Sequence, residues 1–563
     1  MVLNMKVNKN ILLGIVIGAV CYFALFDIKT LDPSYIEWYI QKGDRGQHIL
    51  GFLAYINSSF YFPYSLTDFI FYPEKVSIVY TDSLPLISFI LKPIGKIAGY
   101  FQYFGIYGLF NFIMQGICAA IIIGRWTNNK ILLAVFTTMI VLTPVFIVRL
   151  YAHHALSSHW IILLSIAYIL NNYESPNNIR KDMIFWNCMF FIIPGIHFYF
   201  FPMVFGLAFM YILYKYYRDK KYFILQIFTH FAVTFTALFI YGYFYNLEAA
   251  GTSGVGHYVS NLNTFINRAN IGSILPGMPI LSGQYEGIGY LGLGFILLVL
   301  FAFIIMIYKK LNHRTIIKNR KLFYYILITF AVFLFVSFGG KIAFNNHILC
   351  NIDLSRLLST FRSSGRFIWV CVYIINFVSI YYILTNIKTN KGKSVVLFIA
   401  AVIFIVQIVD IYPFLKNKSN QINSMVSNNT NSMMFNDEQC KYLKDNFEFV
   451  HINSKASGNY SVFYPHIYSF FRCGIPINNF YTARTHLTSV RKAKDKLIYQ
   501  NIADGRLDDK ILVLNAEANK ISMKNIHVHR LNGVLLLANK QIPFLEDVSE
   551  DFISKKKLIY NKI

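Results

Sequence analysis

About eleven apolar blocks recur along the chain, and they leave it few folds to choose from. They run over residues 11–26, 103–124, 131–148, 155–170, 183–196, 199–214, 222–243, 288–308, 322–338, 367–384 and 394–412. A helix needs roughly 20 apolar residues to cross the hydrocarbon core, and a backbone surrounded by lipid must satisfy its own hydrogen bonds. The expected fold class is therefore an α-helical polytopic membrane protein with about 11 transmembrane helices. Residues 84–97 form a shorter apolar stretch with Lys92 and Lys96 inside it, which reads as an interfacial or re-entrant piece.

Charge supplies the orientation. With 52 Lys+Arg against 27 Asp+Glu the net charge is +25, which in a soluble chain would point to a polyanion such as nucleic acid. Here the cations sit in short clusters between apolar blocks: Arg125/Lys130, Arg180/Lys181, Lys215/Arg218/Lys220/Lys221, Lys309/Lys310/Arg314/Lys318/Arg320/Lys321 and Lys388/Lys391/Lys393. When every block is crossed once, all of these clusters fall on the side of the N-terminus, as cytoplasmic loops do. Membrane lipids are the partner they imply, and no nucleic acid is. The first block follows Lys6 and Lys9 and lacks a small-residue cleavage site after it, so it reads as a retained helix with a cytoplasmic N-terminus. The loops around Asp44 and at 149–159, 245–287 and 340–366 then share the external face with everything after Tyr412.

Residues 1–412 thus form a transmembrane domain whose first external loop spans 28–102. Residues 413–436, rich in Asn and Ser from 417 onward, read as a linker. Residues 437–563 read as a soluble extracytoplasmic α/β domain, with short strands near 447–452 and 510–514. The seven cysteines show no CxxC pair and no metal-ligand spacing, so neither a disulfide framework nor a zinc site is expected.

Chemistry is concentrated in the polar loops. Residues 42–85 carry Asp44, His48, Asp68, Glu74 and Asp82 in a chain of which only 14% is charged. Asp44 and His48 are spaced i, i+4, so on a short helix they share one face. A carboxylate there is a candidate general base for an acceptor hydroxyl, and the alternative is a solvated loop aspartate. Asp82 is a candidate substrate contact, with capping of the segment from Leu84 as the favoured alternative. A second group, Arg149 with His153, His154 and His159, suits a phosphate, the arginine through its fork and the histidines through hydrogen bonds; the alternative is interfacial anchoring. In a third, Arg362 and Arg366 would project from one helical face as two forks for a diphosphate, against snorkelling to headgroups. Gln284 and Glu286, in a glycine-rich loop, are candidates for binding sugar hydroxyls or for capping the next span. His197, in the short link after Pro194 and Gly195, is a further external candidate.

The ordered set GDxxQH at 43–48, YTDSLPL at 80–86, RLxxHHALSSHW at 149–160, SGQYEG at 282–287 with YLGLG at 290–294, and FRSSGRF at 361–367 resembles the DUF6311 family of bacterial multispanning membrane proteins. That family is similar in architecture to the GT-C glycosyltransferases. The resemblance implies a transferase of the bacterial cytoplasmic membrane that moves a sugar from a polyprenyl-phosphate-linked donor to a cell-envelope glycan, lipid or protein. It places an acidic residue of the first external loop, here Asp44, at the acceptor or metal. The paired acidic DD, DE or ExD pattern of several GT-C members is absent, so no metal ligands are assigned and a divalent ion stays open. A transporter or flippase of lipid-linked saccharide, using the same cations without chemistry, and a noncatalytic membrane scaffold are the alternatives.

Overall fold

The computed structural model describes residues 2–40, 43–150, 153–245, 254–312, 319–354, 358–386, 390–427, 434–453, 460–483, 488–504, 506–515 and 526–549. Of the cations used for orientation, Arg314, Lys318 and Lys388 lie outside them. The helices are α1 (Val2–Leu25), α2 (Asp44–Asn57), α3 (Pro85–Ala98), α4 (Phe104–Ile123), α5 (Lys130–Val141), α6 (Pro144–Leu150), α7 (Trp160–Asn172), α8 (Ile179–Ile196), α9 (Phe200–Tyr216), α10 (Lys220–Ile240), α11 (Leu293–Leu311) and α12 (Arg320–Ser337). They continue with α13 (Ile368–Asn386), α14 (Asn390–Ser427), α15 (Asp437–Asn446), α16 (Tyr464–Arg472) and α17 (Thr488–Ala503).

Every apolar block falls on a helix and the protein is multi-pass, but fewer of these helices are complete spans by length and composition alone than the expected 11. Among the described residues, 7 helices are long and apolar enough to cross a membrane, or 8 if the pair α5 and α6, bent by 50°, is one broken span. The bend sits at Pro144, whose ring and missing N–H break the helical ladder. Three blocks fall short for physical reasons. The apolar part of α1, Lys9–Leu25, and α9 lie at the short limit of a span, and α8 carries Arg180, Lys181 and Asp182 in its first turn. Asn129, Asn178, Asp219 and Asn319 cap α5, α8, α10 and α12 with their side chains, each beside a basic cluster.

α1 lies against α4 along a seam of glycines. A Cβ on Gly14 would come within 2.6 Å of the Gly116 carbonyl oxygen, and one on Gly18 would meet the Phe112 carbonyl. Small residues let two helix backbones approach where lipid gives no hydrophobic drive to associate. At the other end of the bundle, Asp410 of α14 accepts from Tyr290 Oη (2.6 Å) and from the backbone N–H groups of Ser273, Ile274 and Leu293 (3.1 Å each). This fixes the 254–292 loop, which carries Glu286, onto the bundle.

The short ladder of β1 (Leu66–Thr67) with β2 (Val76–Ser77) braces the first loop, and β3 (Lys341–Phe344) pairs with β4 (His347–Asn351) as a hairpin. The C-terminal part holds a mixed sheet of β5 (Phe449–Asn453), β6 (Ile511–Asn515), β7 (His527–Leu531) and β8 (Val534–Ala538) in the order β5-β6-β8-β7. β5 and β6 are parallel, and the other pairs are antiparallel. Two expectations need correction. Of residues 413–436, read as linker, 413–427 continue α14 as helix and 428–433 lie outside the described residues. A disulfide also exists: Cys440 of α15 is bonded to Cys473 at the end of α16, with Cα atoms 4.6 Å apart. The 33-residue separation hides the pair from any short-motif scan.

Candidate active site

α2 starts at Asp44 because Gly43, at φ 83°, turns the chain into the helix where a Cβ would be strained. The helix places Asp44 and His48 one turn apart as the spacing predicts, but they take different partners. Asp44 Oδ2 lies 2.9 Å from His153 Nε2. His48 is buried, with Nε2 3.9 Å from Asp82 Oδ2, and neither of its ring nitrogens has a hydrogen-bond partner. Asp82 Oδ1 is in turn 3.5 Å from His197 Nε2. The favoured capping role for Asp82 is corrected here. The N-cap of α3 is Leu84, without a side-chain bond, and Asp82 turns toward the two histidines in a left-handed conformation. Gly51 allows this approach, since a Cβ there would collide with the Thr81 and Ser83 side chains.

The second half of the site is an ionic cluster. Glu286 receives Arg149 Nη1 at 3.1 Å and Arg366 Nε at 2.9 Å on one carboxylate oxygen, and Arg149 Nη2 also donates to the Glu286 carbonyl (3.2 Å). Arg366 covers the Tyr199 ring at 4.6 Å, a neighbour that no motif marks. His153 joins the two halves, because its backbone N–H donates to the Arg149 carbonyl (2.8 Å) while its ring faces Asp44.

Charge is divided unequally across this arrangement. Burial works against ionised Asp44, but the hydrogen bond and charge of His153 hold its carboxyl below the usual carboxylate range. Burial pushes the Asp82 carboxyl up. Burial likewise opposes charge on Glu286, and Arg366 and Arg149 overcome it to hold that carboxyl well below its ordinary value. Burial drives His48 and His197 well down, toward the neutral imidazole. Two carboxyl groups pushed apart in this way suit one ionised base and one group easier to protonate.

The ligand atoms of His48, Asp82 and His153 lie within 4.8 Å of one another. Two imidazoles and a carboxylate fit a divalent transition-metal ion, and the orphaned nitrogens of buried His48 are the observation that favours one. The expectation of no metal ligands rested on short acidic motifs, whereas this trio is assembled from three separate segments.

The remaining candidates lie apart from these contacts. His154 Nδ1 hydrogen-bonds the Tyr39 hydroxyl (2.6 Å), and His159 Nδ1 the Tyr373 hydroxyl (2.9 Å) with its ring 4.4 Å from Trp369; both are buried packing residues. Gln284 Oε1 accepts from Asn261 Nδ2 and from the Leu281 N–H, at 2.9 Å each, inside a network of amides. Arg362 and Arg366 do not share a helix face. Two separate 3-10 turns, Ser359–Phe361 and Ser364–Phe367, carry the segment, and Arg362 stays exposed with its guanidinium 6.0 Å from the Tyr258 ring.

A family model described as a domain of unknown function, DUF6311, matches residues 15–412. The chain belongs to this family. No curated protein matches it. Among solved structures it is similar to the archaeal oligosaccharyltransferase AglB from Archaeoglobus fulgidus, solved in complex with an inhibitory peptide and a dolichol-phosphate. The two are 11% identical with a TM-score of 0.48 over 95% of this chain and 74% of that one. At that level the likeness assigns this DUF6311 member neither substrate nor chemistry.

Proposed function

We propose that the protein is a membrane glycosyltransferase of GT-C type, which transfers a sugar from a polyprenyl-phosphate-linked donor to a cell-envelope acceptor on the external face of the bacterial cytoplasmic membrane. The observation that carries this reading is the contact chain from Asp44 through His153 and Arg149 to Glu286 and Arg366. It unites an ionised carboxylate and a cationic cluster at the helix ends remote from the basic clusters. An acceptor oxygen would attack the anomeric carbon, the bond from that carbon to the donor phosphate would break, and Asp44 would take the acceptor proton. Two arginines against one glutamate leave one positive charge, and exposed Arg362 adds another, for the phosphate that leaves with the lipid. His48, Asp82 and His153 would hold a divalent ion, which supplies Lewis-acid stabilisation of phosphate charge.

The test is purified Asp44→Asn protein in liposomes with a polyprenyl-phosphate sugar. Transfer should fall about a hundredfold to ten-thousandfold, the usual range for losing a general base. Undiminished transfer by folded, donor-binding variant protein rejects the role of Asp44. Lipid movement across the bilayer without sugar transfer, in both proteins, would support the transporter in place of the enzyme.

A further inference from the structure

The turn at residues 80–84 is one that L-residues adopt only under constraint. Asp82 at φ 53° and Leu84 at φ 50° both occupy the left-handed region, where a Cβ is disfavoured and persists only when surrounding contacts over-determine it. Several such contacts come from the membrane part. Ser83 Oγ donates to the His48 carbonyl (2.7 Å), and the Tyr103 hydroxyl donates to the Ser83 carbonyl (2.6 Å). The Tyr80 carbonyl, two residues before Asp82, is held from another direction. It accepts from Gln47 Nε2 (3.3 Å) and from the backbone N–H of Ala483 (2.8 Å), a residue of the C-terminal part. Buried Gln47 also donates to the Tyr481 carbonyl (3.1 Å), so one amide links α2, the turn and the C-terminal chain.

The segment that brings Tyr481 and Ala483 there is itself anchored on both sides. The Ile477 N–H donates to the Phe69 carbonyl (2.9 Å) and the Tyr72 N–H to the Ile477 carbonyl (3.0 Å), which ties the segment to the first loop. On its other flank the Val450 N–H donates to the Pro476 carbonyl (3.0 Å) and the Asn478 N–H to the Val450 carbonyl (3.1 Å), which ties it to β5. Ile477 therefore lies between the C-terminal sheet and the loop that ends in Asp82. The Asn479 side chain, also buried, donates to the Ile452 carbonyl (3.1 Å) and holds the same segment to the sheet.

We propose that the C-terminal domain is an integral part of the site: through Ala483 and Gln47 it fixes the Tyr80–Asp82 turn, and Gln47 is a positioning residue for the Asp82 carboxylate. This deepens the reading of Asp82 as a site residue and rests on it. The domain then acts on the chemistry without contributing a group to it.

The experiment compares Gln47→Met, which removes both donated bonds at similar length, Ala483→Pro, which removes the backbone donor, and Ala483→Ser, which keeps it on an exposed residue. Amide hydrogen exchange of the full-length protein is read peptide by peptide without ligand. Gln47→Met and Ala483→Pro should speed exchange at 78–84 by about tenfold or more while α4 and β6 keep the parent rate, and Ala483→Ser should match the parent. Where the parent transfers sugar, the two disruptive variants should lose kcat about tenfold with donor KM unchanged. Parent-like exchange at 78–84 in both disruptive variants, or a rise spread evenly over the whole chain, overturns the proposal. A parent that transfers no sugar sinks the glycosyltransferase reading, and the exchange result still decides this one.

Discussion

Glu286 balances two guanidinium groups with one carboxylate, an arrangement that holds only while all three are present. Removing its charge leaves Arg149 and Arg366 facing each other in a dry site, and losing one partner of a buried ionic group typically costs about 3–5 kcal/mol. Glu286→Gln should therefore lower the unfolding temperature in detergent by several degrees, with Glu286→Asp falling between it and the parent. A Gln variant as stable as the parent would show that the two arginines are solvated. The reach of the sequence at this scale is uneven. It singled out Asp44, His48, Arg149, His153, Glu286 and Arg366, because polar groups in so apolar a chain stand out by composition. It could not pair them, since Asp44 and His153, or Arg149 and Glu286, meet only after more than a hundred residues of chain have folded. The shared helix face expected for Arg362 and Arg366 does not form, because the i, i+4 rule presupposes an α-helix and the segment makes two 3-10 turns. The capping reading of Asp82 fails because a left-handed turn without glycine leaves no mark in composition.

At the scale of elements, the seam between α1 and α4 brings two helix backbones into close approach. Any side chain at Gly116 meets the Gly14 carbonyl, and any at Gly18 meets the Phe112 carbonyl; both obstacles are backbone, which cannot rotate away. Gly116→Ala and Gly18→Ala should each cost about 1–3 kcal/mol, the range of overpacking, while Gly43→Ala meets no atom and is opposed only by its positive φ. Thermal unfolding monitored by size exclusion separates these cases, and a seam variant as stable as the parent would mean that the helices slide apart without cost. The apolar blocks were legible because hydrophobic length is a one-dimensional signal. The number of complete spans was less so, since Pro144 bends one block and three charges open another, and neither event changes the mean hydropathy enough to be seen. The four-residue spacing of Gly14 and Gly18 is visible in the sequence, but the partner helix is not.

For the whole molecule, the question that decides the reading is which side of the membrane the C-terminal sheet faces. Disulfides form and persist in oxidising compartments and are rare in the cytosol, so the Cys440–Cys473 bond agrees with the orientation drawn from the basic clusters. The two arguments are independent, one from lysine and arginine placement and one from thiol chemistry. Among the free cysteines Cys350, in β4, is partly exposed on the side the charge pattern makes external, and Lys310 lies at the opposite end of α11. In intact cells an impermeant thiol reagent should modify Cys350 directly, Cys440 and Cys473 only after reduction, and a Lys310→Cys substitution only after the membrane is opened, with peptides mapped by mass spectrometry. Closing a loop of this length is worth about 3–4 kcal/mol in the chain-entropy model, so Cys440→Ser with Cys473→Ser should also loosen the C-terminal sheet. If the tail thiols react without reduction while Lys310→Cys labels from outside, the chain is inverted in the membrane. Asp44 and the cluster around Glu286 would then face the cytoplasm, and an external acceptor could not reach them.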